Sequence, residues 1–170
     1  FYRILSDDNQ PMGSDAATLI QGGLWAGDKR RDYLRGLTHE NTSQTGISHE
    51  AGTLSLARQD TGTATTEFFI CINRQPGFDY GGENNPDGQG YAAFGKVIEG
   101  MDVVMKIYRQ TEENQLFKPP VPIKSIKRSS PSTKYKNKGI PMSICTDFPA
   151  PRYISASRRR LLFLIMISAS

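Results

Sequence analysis

Two histidines and two cysteines are all the chain offers for imidazole or thiol chemistry. His39-Glu40 begins like the helix of a zinc protease, but Ser43 stands where the second histidine would be, and His49 is ten residues on. No disulfide framework or zinc spacing can be built from Cys71 and Cys145, and Cys71 sits in an apolar run as a small hydrophobe would. Residues 90–96, GYAAFGK, fit the start of a phosphate-binding loop, but Val97 replaces the hydroxyl that would reach magnesium, and the segment reads as a strand. Asp79, Glu83 and Asp87 match no calcium-loop spacing and are read as turn polarity. With no nucleophile–base pair and no cofactor fingerprint, the chain either only binds or performs chemistry that needs neither.

Residues 62–73, GTATTEFFICIN, carry a different signal. Small and hydroxylated residues suited to an exposed turn run into Phe68, Phe69, Ile70, Cys71 and Ile72, with Glu67 at the join. The apolar half reads as a strand buried on both faces. Strand alternation would send one phenylalanine to the interior and its neighbour to a groove beside the ledge.

Five motifs, FYR (1–3), IQGG (20–23), GTLSLAR (52–58), GTATTEFFICIN (62–73) and GYAAFGKVIEGMDVV (90–104), stand in this order. Together they resemble the cyclophilins, the peptidyl-prolyl isomerases, from Phe1 to about Arg128. The resemblance implies a mainly β fold, a closed antiparallel barrel with a capping helix. It also implies that Leu19, Phe69, Phe78 and Tyr91 line a pocket for a proline ring. Ala57, Arg58, Gln59 and Thr63 would form the ledge on which the peptide lies, and Arg3 with Gln21 would be the catalytic side chains. No cofactor or metal is implied.

The chemistry this would serve is rotation about an X–Pro amide, slow because twisting C–N destroys its resonance. In the twisted state the proline nitrogen is pyramidal and carries a lone pair absent from the planar ground state. A fixed donor aimed at that lone pair binds the transition state more tightly than either isomer. Arginine suits the task, being always charged and rigid. On this reading Gln21 helps hold Arg3 or the substrate carbonyl.

Three departures from the family are expected to matter. Thr18 stands where the family usually has Phe, and Gly77 where many members have Trp or Phe that contacts cyclosporin-type ligands; both would make the pocket shallower. Cyclophilins also begin with two strands and a helix ahead of the FYR motif, which this chain lacks, so the barrel is expected to have open edges. A proline-peptide binding module without turnover, or an inactive truncated product, is the alternative to an isomerase.

The elements that must position these residues are short. Strands are expected over residues 1–5, 18–21, 52–57, 67–73, 91–98 and 121–126, with loops at 6–15 and 81–90 and a charged, turn-rich stretch at 27–48. Met101, Val104, Met105 and Tyr108 fall on one helix face and are expected to be core.

Charge divides the chain at Arg128. Residues 1–128 hold 14 Lys and Arg against 16 Asp and Glu, a balance of −2, while residues 129–170 hold 7 against Asp147 alone, +6. The basic excess therefore argues for no nucleic-acid face on the folded part. Residues 1–128 are read as a partial isomerase domain, and 129–170 as a basic, disordered extension ending in the apolar run LLFLIMI. Seven residues fall far short of the ~20 that span a bilayer, so membrane contact is not expected. The expected partners are proline-containing peptides and unfolded or partly folded proteins, met as a monomer. Any targeting segment would stand upstream of Phe1, which leaves the compartment, cytoplasmic or periplasmic and secreted, open.

Overall fold

The computed structural model describes residues 1–12, 16–24, 28–129, 143–146 and 161–167, with 127–129, 143–146 and 161–167 as backbone. In chain order these form β1 (Arg3–Leu5), β2 (Leu19–Gly22), a one-turn helix α1 (Thr42–Thr45), β3 (Thr53–Leu56), β4 (Phe68–Cys71), β5 (Ala92–Glu99) and helix α2 (Met101–Tyr108). Then come β6 (Glu112–Glu113), β7 (Leu116–Phe117), β8 (Ile123–Ser129), β9 (Ser143–Thr146) and β10 (Leu161–Ile167). The pairings are antiparallel and give one sheet in the order β6-β7-β1-β2-β4-β3-β5-β9-β10-β8. The mainly β architecture is as expected. The closed ring is not what the pairing describes: β6 and β8 stand at the two ends of the order, and β6 is a two-residue arm paired to β7.

Register sorts the side chains into two layers. Ile4, Ile20, Ile70 and Leu54 are successive cross-strand partners and belong to the larger core, with Phe1, Phe68, Val104, Ile107 and Phe117. The neighbouring row, Arg3, Gln21, Phe69, Ser55 and Ala93, must face the other way because successive residues of a strand alternate. On that second face Leu19, Phe69, Cys71, Ala17 and Phe78 form a smaller apolar cluster. The two phenylalanines thus part as alternation predicts: Phe68 meets Phe1 edge to face at 5.8 Å inside the core, and Phe69 joins the groove.

Helix α2 packs on the larger core through Val104 and Ile107, both fully buried, flanked by Met101, Val103 and Tyr108. Ile107 replaces Met105 in the expected stripe. With about 100° per residue, the direction midway between Val104 and Ile107 lies about 130° from Met105.

The sequence places residues 129–170 outside the fold, and two pieces of that extension behave otherwise. Ser143–Thr146 pairs with β5, and Leu161–Ile167 pairs with both β9 and β8, so they stand between β5 and β8 in the sheet. An apolar run such as LLFLIMI, with two isoleucines and a phenylalanine, meets the needs of a strand. The rest of the extension lies outside the described residues. Among the described residues no helix is long and apolar enough to cross a membrane.

Candidate functional site

Every residue singled out from sequence, Arg3, Leu19, Gln21, Ala57, Arg58, Gln59, Thr63, Phe69, Phe78 and Tyr91, lines one groove of about 590 Å³. Five strands or their flanks and two loops supply them, so the site exists only in the folded sheet. Its floor is aromatic. Phe69, Phe78 and Tyr91 meet pairwise edge to face with centroids 5.0–5.3 Å apart, which favours a fixed ring arrangement over a loose apolar patch.

Behind the floor lies His49, fully buried, stacked on Phe69 at 6.1 Å and edge-on to Phe78 at 5.7 Å. Its Nδ1 is 2.7 Å from Asp79 Oδ1 and its Nε2 2.9 Å from Ser55 Oγ. Burial pushes its pKa below the ordinary value, opposed by the hydrogen bond and charge of Asp79. In the neutral ring Nδ1–H donates to Asp79, since a carboxylate only accepts, and Nε2 accepts the Ser55 hydroxyl. The sequence discards this histidine as a metal ligand but carries no sign that it supports the pocket.

The two arginines of the groove differ in what their donors already hold. Arg58 Nε donates to Gly90 O at 2.9 Å, Nη1 to Gln59 O at 3.0 Å and Asp87 Oδ2 at 2.8 Å, and Nη2 to Asp87 Oδ1 at 2.8 Å and Gly90 O at 2.7 Å. All five guanidinium hydrogens are used. The side chain is 1% exposed and sits 5.7 Å from the Tyr91 ring centroid, while its bonds hold the Asp87 carboxyl well below the usual range. Arg58 therefore fastens the 81–90 loop and Tyr91 to the ledge. Arg3 makes one hydrogen bond through its guanidinium among the described residues, from Nη2 to Gln115 Oε1 at 2.9 Å, leaving further donors for a ligand.

Gln115 is a site residue with no local signal, 112 positions away from Arg3. It is held in turn by its own amide, which donates to Glu112 Oε2 at 2.7 Å, and by Nε2 donating to Asn9 O at 3.0 Å. The expected Gln21–Arg3 contact takes another form. The two are direct cross-strand partners, yet Gln21 Nε2 donates to Tyr2 Oη at 2.9 Å. Tyr2 donates onward to Glu67 Oε2, and Arg31 Nε stands 4.0 Å from Oε1. Burial first, and then the Glu67 bond, push the Tyr2 pKa upward. Glu67, the charge at the join of ledge and strand, is the anchor of this side of the groove, and its odd placement in GTATTEFF is the signal that could have found it.

Both expected departures are redrawn. Thr18 does not line this groove: it is buried on the other side of β2's start, where its hydroxyl donates to Asn73 Oδ1 and accepts from Gln75 Nε2 at 2.8 Å. Ala17 and Leu19 line the groove in its place. A Cβ at Gly77 would meet the end of the Asn84 side chain, which would have to turn aside, while the Asn84 backbone N–H donates to Gly77 O at 3.1 Å. On the ledge, Thr63 closes a turn by donating its hydroxyl to Asp60 O at 2.7 Å, and the Ala57 amide donates to Glu67 O at 2.8 Å.

Comparisons with known proteins agree with this picture. The family model described as cyclophilin type peptidyl-prolyl cis-trans isomerase matches residues 13–128. Of the ten residues expected at the groove, Arg3 stands ahead of the matched segment and the other nine lie within it. Peptidyl-prolyl cis-trans isomerase B of Escherichia coli is 39% identical over 91 residues, covering 52% of this chain and 54% of that protein. Peptidyl-prolyl cis-trans isomerase A of Dickeya dadantii is 33% identical over 97 residues, 56% of this chain and 48% of that protein. A peptidyl-prolyl cis-trans isomerase of Acinetobacter baylyi is 36% identical over 90 residues, covering 52% and 45%. The chain spans about half the length of the curated relatives it matches.

Proposed function

Because the chain belongs to the cyclophilin-type peptidyl-prolyl cis-trans isomerase family, we propose that it accelerates rotation of X–Pro bonds in peptides and in unfolded or partly folded proteins. The observation that carries this reading is the pairing of an aromatic floor with an arginine whose donors are largely uncommitted. Phe69, Phe78 and Tyr91 receive the proline ring, which is apolar and rigid. Arg3, in the same sheet row as Phe69, presents guanidinium hydrogens toward the amide nitrogen as it becomes pyramidal.

The Gln115 bond keeps the Arg3 fork oriented before the substrate arrives, so little reorganisation opposes the reaction. Arg58 acts through Tyr91 and the 81–90 loop. Residues 1–128 carry this function. The working unit we propose is the monomer.

A protease-coupled isomerisation assay on an Ala-Pro peptide tests the reading. The full chain should shorten the slow cis-to-trans phase in proportion to its concentration. Peptide binding with no acceleration would leave only the binding module.

A further inference from the structure

A second cavity of about 580 Å³ lies beside the proline pocket, and Asn84 lines both. Gly77 lines the second cavity and carries no side chain, and the end of the Asn84 side chain stands beside it. The new cavity has a built polar floor, in which buried Thr18 and Gln75 and the neighbouring Asn73 hydrogen-bond to one another. Its rim carries the carboxylates of Asp7 and Glu83 against one cation, Arg74. Arg74 is already engaged, its Nε 3.3 Å from Glu50 Oε1 outside the cavity. The lining is thus polar, holds two carboxylates against one cation that is already paired, and adjoins the groove at Asn84.

Resting on the isomerase reading of the first groove, we propose that this cavity is a subsite for a lysine or arginine side chain carried by the peptide within a few residues of its proline. An extended peptide advances about 3.3 Å per residue, and a Lys or Arg stem adds a long flexible reach, so a proline seated on Phe69 and Phe78 leaves its flanking residues at Asn84. The peptide amides meet a wall of amide groups there, and the cationic head meets Asp7 and Glu83. Both carboxylates are exposed, so the gain is modest and salt-sensitive.

The test uses the full chain and fluorescein-labelled proline peptides, read by anisotropy and in parallel by isomerisation. A single Lys or a single Glu is placed at each of the three positions on either side of proline. The subsite predicts that Lys binds three- to tenfold more tightly than Glu on one side of proline, in low salt. That ratio should fall toward one in Asp7→Asn/Glu83→Gln, and in the unmodified chain at 0.5 M NaCl. Equal affinities, or a preference that survives the double substitution, would overturn the subsite, the latter assigning it to the general field of the chain. Binding without turnover of any peptide would defeat the isomerase reading while leaving the subsite decided by the affinities. No binding of any peptide would overturn both.

Discussion

Arg3 and Phe69 occupy one cross-strand row of the sheet, with only Gln21 between them. Two strand spacings, about 10 Å, separate their backbones. A donor that reaches back along the groove and a ring that stands up from it can therefore address adjacent atoms of one bound residue. Because the row is fixed by β1, β2 and β4 together, neither side chain can shift its register without sending the whole core row of Ile4, Ile20 and Ile70 to the wrong face.

Arg3→Ala should lower turnover roughly 100- to 1000-fold with peptide affinity little changed, the pattern of a preorganised donor used mainly in the transition state. Arg3→Lys should rescue poorly, because an ammonium does not reproduce the planar fork. Gln115→Ala should lower kcat about tenfold or more with KM nearly constant, since it frees the guanidinium without removing it. Near-full activity of Arg3→Ala in an intact fold would exclude this arginine from the reaction.

Arg58→Ala should act on the loop before it acts on the chemistry. Losing five hydrogen bonds, two of them to a carboxylate, should speed hydrogen exchange of the Gly81 and Tyr91 amides by about tenfold or more and weaken peptide binding. Arg58→Lys should recover little of either. Unchanged exchange would show that the loop holds itself.

Stability should depend on pH through His49. Its folded pKa is depressed by burial below the ordinary 6.5, so just below 6.5 the unfolded chain binds more protons at this residue than the folded one. The contribution of the neutral ring is complete above about pH 6.5 and is lost as pH falls toward the folded value. Melting temperature measured at pH 7.5 and 5.5 should fall with acid, and His49→Gln should flatten that difference. An equal acid loss in His49→Gln would place the sensitivity elsewhere.

Response to cyclosporin-type ligands should be weak, since a missing buried aromatic contact commonly costs on the order of 2 kcal/mol, about thirtyfold in affinity. Gly77→Trp should restore part of it, with the Asn84 side chain turning aside, and Gly77→Trp with Asn84→Gly should restore more. Low-nanomolar inhibition of the unmodified chain would contradict this account.

Ending the chain at residue 129 removes β9 and β10 and leaves β5 and β8 without these neighbours. The shortened chain should melt at lower temperature and bind more hydrophobic dye than the full one. An unchanged melt would mean that the extension stands apart from the fold, as its composition suggests.

The ten expected groove residues followed from the resemblance to the cyclophilins, while the short-strand plan and the split of Phe68 and Phe69 were determined by sequence alone, because strand alternation and local motifs act over a few residues. Helix α2 was legible for the same reason, though which of its positions point inward depends on the neighbour it meets, and Ile107 displaced Met105. Partnerships across long separations were left to tertiary structure. Arg3 with Gln115, Tyr2 with Glu67 and Arg58 with Asp87 join residues 29 to 112 positions apart, and no local pattern records them. They decided which arginine is available to a ligand and which is committed to the loop. A side chain's type limits what it can donate or accept, but the number of donors still free is set by which distant groups the fold brings within 3 Å.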